Sequence, residues 1–412
     1  MIAPRRLGAS FRWLLASSWA SNLGDGVAMA AGPLLVASLT DDPFLVALAA
    51  LLRWAPPMVF GLAAGVVSDR LNRRRIVMVA DGIRSVVLAG LVVALVTGYA
   101  SVWVALAAVG LLGTAEVFAD NTTATLAPML VHRDDLVLAN ARLGAGFITL
   151  NQLAGPPLGA VLFATGRAWP FAAEAVLVLA GVLLVSRIVL PAYERSAHEA
   201  ASGVFRDVVM GLRWTVNHAA VRTLALTILI FNVTFGAAWS VLVLYASQRL
   251  GLGAIGFGLI TMVSAAGGLL GTALYGWITR RVSLGNIMRI GLIIETLTHL
   301  VLAVTTSPWV ALPVFFVFGA HAFIWGTTST TVRQRAVPAH LQGRVASVNT
   351  LCVFGGLVVG SAIGGLLATH AGITAPFWFA FVGSAVFLVL LWRELVRIAH
   401  DEAPSTPLGV ER

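Results

Sequence analysis

The sequence predicts an all-α membrane protein of twelve transmembrane helices arranged as two pseudo-symmetric six-helix bundles, and three observations carry that prediction. Of 412 residues, 58% are hydrophobic and 11% charged, with a mean hydropathy of +0.90. No single soluble core hides that much apolar surface. Charge and turn residues divide the chain into about twelve apolar runs, each near the roughly 20 residues that a spanning helix needs. Two stretches of the first half also return in the second at nearly constant spacing, which points to a duplicated unit.

Taken in order, the runs lie at about 11–39, 44–67, 76–98, 101–129, 136–164 and 169–190 in the first half. Those of the second half lie at about 218–249, 254–279, 284–305, 308–332, 341–369 and 373–395. The domain plan is a bundle over 1–190, a linker over 191–217, a second bundle over 218–397 and a disordered cytoplasmic tail over 398–412. Within the linker, Phe205, Val208, Val209 and Leu212 recur at helical spacing with Arg206 and Arg213 between them. That pattern predicts an amphipathic helix lying along the inner membrane surface. The repeat is carried by Leu153–Ala160, which returns as Val358–Gly365 after 205 residues, and by Gly65–Arg70, which returns as Gly276–Arg281 after 211.

A net charge of +9 resembles that of a nucleic-acid binder, but the chain contains no lysine and its 27 arginines sit in short loops between apolar runs. That is topology, not a binding face, so nucleic acid is excluded as a partner. The outer loops carry only Arg167 and Arg249, Arg53 falls inside the second run, and the other 24 arginines are assigned to the inner side or inner helix ends. The expectation is a multi-pass protein of the cytoplasmic membrane with both termini in the cytoplasm. The single cysteine, Cys352, rules out an internal disulfide. The eight histidines lack metal-ligand spacing and no phosphate-binding Gly-x-x-x-x-Gly-Lys-Ser/Thr loop is present, so no metal, no cofactor and no enzymatic activity is expected.

Between the second and third runs lies Gly65-Val66-Val67-Ser68-Asp69-Arg70-Leu71-Asn72-Arg73-Arg74-Arg75. With its spacing Gly65, Asp69, Arg70, Arg73 and Arg74, the chain resembles the major facilitator superfamily over nearly its whole length, departing at Asn72 where that pattern usually has glycine. Asparagine tolerates the left-handed conformation best after glycine. The second copy keeps Gly276 but has Arg280 where the acid would be. The fifth run resembles the superfamily's antiporter motif through Gly155, Pro156 and Gly159, with Asn151 and Ala160 replacing two of its glycines. Asn22 to Gly26, Ala139-Asn140, Pro338 and Gly343-Arg344 resemble the branch that contains the enterobactin exporter and macrolide-efflux proteins. The resemblance implies the major facilitator fold and a conformational latch in which Asp69 holds the inner side closed.

Charge at bilayer depth costs at least about 2.5–3.5 kcal/mol, so acids there face a cavity or a partner. Five stand out: Asp25, Glu116, Asp120, Glu174 and Glu295. Asp25 and Arg53 both come near the midplane and are expected to pair, making Asp25 the first candidate for proton coupling. Glu116 and Asp120 share one helix face and resist joint ionisation, which suits a proton carrier; Arg142 is the expected counter-ion of Asp120. Glu174, about five residues from the outer end of its run, is explained by contact with water. Gly155-Pro156-Pro157 and Pro56-Pro57 are expected to kink or loosen their helices. Asn151, Gln152, Asn232, Trp239, Glu295, His321 and Trp325, with Phe231 and Phe235, are candidates to line a largely apolar pocket. Trp103, Trp169, Trp309 and Trp392 read as interfacial anchors.

The function expected is proton-coupled export of bulky amphipathic small molecules by a monomer whose partners are membrane lipid, a small-molecule substrate and protons. The proton gradient is the energy source. The alternatives are a facilitator-fold importer of a small nutrient and a lipid translocator.

Overall fold

Apolar runs broken by charge and capping residues give helices here. The structure, a computed structural model, describes residues 5–190 and 204–398. The first half contains α1 (Gly8–Ala37), α2 (Pro43–Arg70), α3 (Arg73–Thr97), α4 (Val102–Leu130), α5 (Leu136–Gly146), α6 (Gly155–Thr165) and α7 (Trp169–Val185). The connecting helix is α8 (Val204–Asn217). The second half contains α9 (Ala219–Trp239), a short α10 (Leu242–Leu244), α11 (Ala254–Thr279), α12 (Leu284–Val304), α13 (Pro308–Ala336), α14 (Gln342–Ala371), α15 (Ala375–Leu391) and α16 (Glu394–Ile398). Among the described residues no strand occurs, and nine helical stretches are long and apolar enough to cross a membrane. The polar-rich α1 and the 17-residue helices α7 and α15 complete twelve rods.

Helix starts follow local chemistry. Asp42 caps α2 through the Phe44 amide with Pro43 behind it, and Ser101 and Ser283 cap α4 and α12. Asn72 does not take a left-handed conformation: at φ −68° it is the N-cap of α3, accepting the Arg75 amide on its side chain. Capping, a role glycine fills less well, explains asparagine there.

The fifth rod is not one α-helix. A π-helical stretch, Phe147–Ala154, joins α5 to α6 immediately before Gly155-Pro156-Pro157. The two prolines have no N–H to return to the Gln152 and Leu153 carbonyls, so the ladder widens there. The rod beginning at α9 likewise breaks after Trp239 and ends in a π-helical turn, Tyr245–Arg249. Pro56 and Pro57 lie inside a continuous α2, where α4 approaches at Gly113.

Small residues set the helix spacing. A Cβ on Gly26 would lie 2.5 Å from the Asn151 carbonyl oxygen, and one on Gly159 would strike the Val27 carbonyl. Lipid supplies no hydrophobic drive between helices, so this close backbone contact is the source of packing energy. Trp103, Trp169, Trp309 and Trp392 are exposed as expected of anchors, and Arg289 sits 4.5 Å from the Trp392 ring.

The amphipathic linker helix is present as α8; the side chains of Phe205 and Asp207, residues 191–203 and the expected tail beyond 398 lie outside the described residues. Gly211 of α8 packs on the Arg344 backbone at the start of α14, while Val209, Leu212 and Val216 stay exposed.

The halves are sealed together away from the arginine-rich end, and α2 and α14 stay in contact as far as Trp54–Phe354 and Met58–Gly355. Away from the arginine-bearing loops, Thr369 donates to Asp42, Gly365 packs on Phe44 and Ala47, and Gly258 packs on Ala160, all across the halves. One apolar cluster spans both halves there, including Leu35, Val46, Val243 and Tyr245. At the arginine-rich end the clusters stay separate, Phe11, Leu14, Val77 and Leu126 in the first half, Val221, Ala336, Leu341 and Val345 in the second. The packing predicts that Gly159→Ala lowers stability by about 1–3 kcal/mol. Gly82→Ala, where nothing lies within 4 Å, is expected to be neutral or stabilising; thermal unfolding of both variants in detergent distinguishes them.

Candidate functional site: a cavity with one charged and one aromatic wall

Between the halves lies a cavity of about 490 Å³, within the range of drug-sized ligand sites. The far-end seal closes it on one side, and at the arginine-rich end no apolar cluster bridges the halves among the described residues. The first half gives this cavity its charges, Asp25, Arg53, Glu116 and Glu174, and the second half gives it aromatic rings.

Asp25 is positioned by its neighbours in sequence. Gly26 brings α1 onto the π-helical stretch, and Gly24 brings it onto α7, where a Cβ would lie 3.3 Å from the Glu174 Cγ. Asp25 does not pair with Arg53, as the sequence suggested. Its carboxylate accepts from Nη2 of Arg84 on α3, a buried arginine that the topology argument had assigned to the inner side. Arg84 also donates through Nη1 to Asp81, 3.0 Å away and one turn earlier, and its Nη2 lies 3.6 Å from Glu174 Oε1. Asp25, Asp81, Arg84 and Glu174 are 6%, 3%, 2% and 2% exposed. Glu174 is therefore not explained by contact with water: it belongs to this cluster.

Three carboxylates thus converge on one guanidinium, two more than it neutralises. Arg84 Nε and Glu174 Oε2 have no hydrogen-bond partner among the described residues. An uncompensated buried charge costs several kcal/mol, so such a cluster is driven to bind protons or cations. Arg53 pairs instead with Glu116 across α2 and α4 at 3.5 Å. Asp120, one turn beyond Glu116 on α4, is exposed and is not among the residues lining the cavity, and no ion pair joins it to Arg142 among the described residues. Arg142 instead offers its backbone carbonyl to Trp19 Nε1.

The opposite wall is a run of stacked rings. Phe235 lies 4.5 Å from Trp239, Trp239 4.6 Å from Phe318, and Phe231 5.5 Å from Trp325, centroid to centroid. Of the expected pocket residues, Gln152, Asn232, Trp239, Phe231 and Phe235 line the cavity. Asn151, Glu295, His321 and Trp325 do not. Asn151 is pressed against Gly26 and accepts from Gln152 Nε2, while the other three are buried behind the rings.

In the loop expected to form the latch the acid is exposed, while Arg73 donates to the Ser68 carbonyl and to Met129 of α4. The Asp69 side chain is 74% exposed and meets Arg73 of its own loop at 3.3 Å, Arg70 is exposed, and nothing approaches Gly65 within 4 Å. Arg74 donates to the Ile188 carbonyl, tying α3 to the end of α7 within the first half. Gly155, Pro156 and Gly159 are all buried against α1 or α11, so the antiporter-motif segment forms contacts both within its half and across to the other.

Removing Arg84 would leave the buried carboxylates without their cation. Arg84→Gln is expected to lose about 3–5 kcal/mol of stability, and Arg84→Gln with Asp25→Asn to recover part of that loss. Thermal unfolding of the single and double variants checks this; additive losses would contradict it.

The family model described as transmembrane secretion effector, of the major facilitator type, matches residues 1–408. The multidrug efflux pump Tap of Mycolicibacterium fortuitum is 28% identical over 378 residues, covering 88% of this chain and 90% of that protein. The enterobactin exporter EntS of Salmonella typhimurium is 25% identical over 408 residues, covering 96% and 95%. Among solved structures, the nucleoside transporter NupG matches with a TM-score of 0.72 at 13% identity, over 95% of this chain and 99% of that one. A bacterial homologue of the iron transporter ferroportin in its inward-facing state gives 0.73 at 16%, over 95% and 98%. At those identities the structures show the fold alone, but the family model spans nearly the whole chain: this protein is a multi-pass membrane transporter, not an enzyme, and belongs to the transmembrane secretion effector family of the major facilitator superfamily.

Proposed function

We propose that the protein is a secondary active exporter of bulky amphipathic small molecules, driven by proton antiport and working by alternating access. The observation that carries this reading is the position of Asp25, which faces the cavity and is bound to Arg84 in a cluster with more carboxylates than cations. Two relatives whose names describe efflux or export support the direction.

The positive-inside rule assigns the arginine-rich end to the cytoplasm, and with it both termini. A substrate then enters from the cytoplasmic side, where the halves part. Its apolar body lies against Phe235, Trp239 and Phe318, and its polar part meets Arg53 and Glu116. Export requires the halves to rock so that the arginine-rich ends close and the glycine-packed far end opens. Asp69, exposed in the present state, would act as the latch of the closed form by accepting N–H groups or pairing with arginine. Protons arriving from the far side neutralise the acid cluster, which removes the attraction for a cationic or hydrogen-bonding substrate and lowers the cost of sealing the cavity again. On reopening to the cytoplasm, the protons leave and Asp25 is free to bind substrate.

The test uses inverted membrane vesicles, ethidium as a fluorescent amphipathic cation, and a proton gradient that a protonophore can collapse. The reading predicts gradient-dependent ethidium uptake by the wild type and its loss in Asp25→Asn, with folded protein retained. Transport by Asp25→Asn that is unchanged at every pH would remove Asp25 from the mechanism.

A further inference from the structure

A second group of buried ionisable side chains lies in the other half, away from the acids around Arg84. Glu295 and His299 are one turn apart on α12, with Nε2 of His299 2.9 Å from Glu295 Oε1. His321 of α13 places its Nε2 3.5 Å from the other oxygen, Oε2. Glu295 and His299 are fully buried and His321 is 4% exposed. Gly291 makes the approach feasible: a Cβ there would lie 2.5 Å from Trp325 Cδ1 and 3.0 Å from His321 Cε1, so only glycine lets α13 come this near to α12.

We propose that Glu295, His299 and His321 form a second proton-holding site, separated from the transport cavity by a single layer of aromatic rings. Charge counting carries the argument. With Glu295 ionised and both imidazoles neutral, the group carries one uncompensated negative charge; one added proton makes it neutral and a second makes it positive. In a dry interior only the one-proton state avoids a bare charge. The two carboxylate oxygens each face one imidazole, so that proton is shared between the histidines through Glu295. His299 Nδ1, His321 Nε2 and Glu295 Oε2 have no hydrogen-bond partner among the described residues, which leaves the group capacity to accept and pass a proton.

Other ionisable groups on the surrounding helices do not reach this site. On α12, Arg289 donates to the Trp392 carbonyl, and on α9, Arg222 donates to the Val216 carbonyl. Arg333 and Arg335 lie in the last turn of α13 at the arginine-rich end. Tyr245 donates to the Leu302 carbonyl, Tyr275 meets Thr328, Glu394 and Arg397 of α16 pair with each other, and α15 carries no ionisable residue.

The route to the cavity runs through rings. Trp239 stands edge-on to His299 at 6.0 Å, and Phe231 and Phe318 stand edge-on to His321 at 6.3 and 6.0 Å. All three rings line the cavity. A change of charge on an imidazole is therefore felt at the wall a substrate would touch, because the quadrupole of an adjoining aromatic ring interacts differently with an imidazolium than with a neutral imidazole. This proposal goes beyond the export reading and does not depend on it, since it concerns proton occupancy and not transport.

The test is nitrogen NMR of the full chain in lipid nanodiscs, labelled on histidine and followed between about pH 5 and pH 8, the window in which imidazole changes charge. His299 and His321 are identified by loss of signal in His299→Gln and His321→Gln. The expected result is that in the wild type His299 and His321 each show partial protonation from one shared proton, kept or lost by the two rings together, that Glu295→Gln removes this sharing, and that Asp25→Asn leaves it intact. If Glu295→Gln does not fold, each histidine variant must still shift the transition of the remaining partner. Two imidazoles that hold fixed neutral tautomers across the range in the wild type would overturn the proposal, as would transitions that ignore loss of the partner.

Discussion

The structure of the first half depends on one buried arginine. Arg84 stands in an apolar helix where its charge is tolerated only with partners, and α1, α3 and α7 each supply one: Asp25, Asp81 and Glu174. Three carboxylates surround one guanidinium, leaving its Nε without a partner among the described residues while over-compensating it electrically. The contacts tie three helices together at one point, and under the proposed antiport the surplus of acids is what lets that junction take up protons. A neutral, fully satisfied pair would hold the helices equally well and would respond to nothing.

Helix packing lets this charge junction influence the far side of the molecule. Gly24 and Gly26 flank Asp25 and press α1 onto α7 and the π-helical stretch, and Gly159 continues the same contact along α6. The far side of α6 then carries Ala160, against which Gly258 of the second half packs. These close backbone contacts form a continuous packed path from the Asp25 region of α1 to the seal between the halves. The present state is closed at that seal and parted at the arginine-rich end, with Asp69 pointing into solvent.

Much of this was legible in the sequence, for identifiable reasons. Apolar runs near the length of a bilayer, split by capping residues and arginine, gave the twelve rods and the duplicated halves. The proline pair after Gly155 marked the fifth rod as irregular, although its π-helical form was not readable from periodicity. Asp25 was identified as a cavity acid, but its partner was not. Asp81 and Arg84, one turn apart near the middle of α3, look like an ordinary intrahelical pair, and only the packing of α1 and α7 against α3 shows that Arg84 is deep and shared. The available signal was charge inside the third apolar run, the same criterion that had already singled out Asp25. Glu116 and Asp120 show the limit of helical spacing, since four residues put two side chains on one face without saying which one a neighbouring arginine engages. His321 and Trp325 were read as lining the pocket, yet they lie one layer behind it, a depth that no linear pattern encodes.

The central claim is that proton occupancy of the cluster around Arg84 decides which end of the cavity is open. It is tested most directly by spin-label distances between the arginine-rich ends of α2 and α13, on a Cys352→Ser background in nanodiscs, at acidic and alkaline pH. The account predicts a distribution that moves between a short and a long distance with pH in the wild type and stays fixed in Asp25→Asn. A wild-type distribution that is the same at both extremes, or one that moves equally in Asp25→Asn, would contradict it.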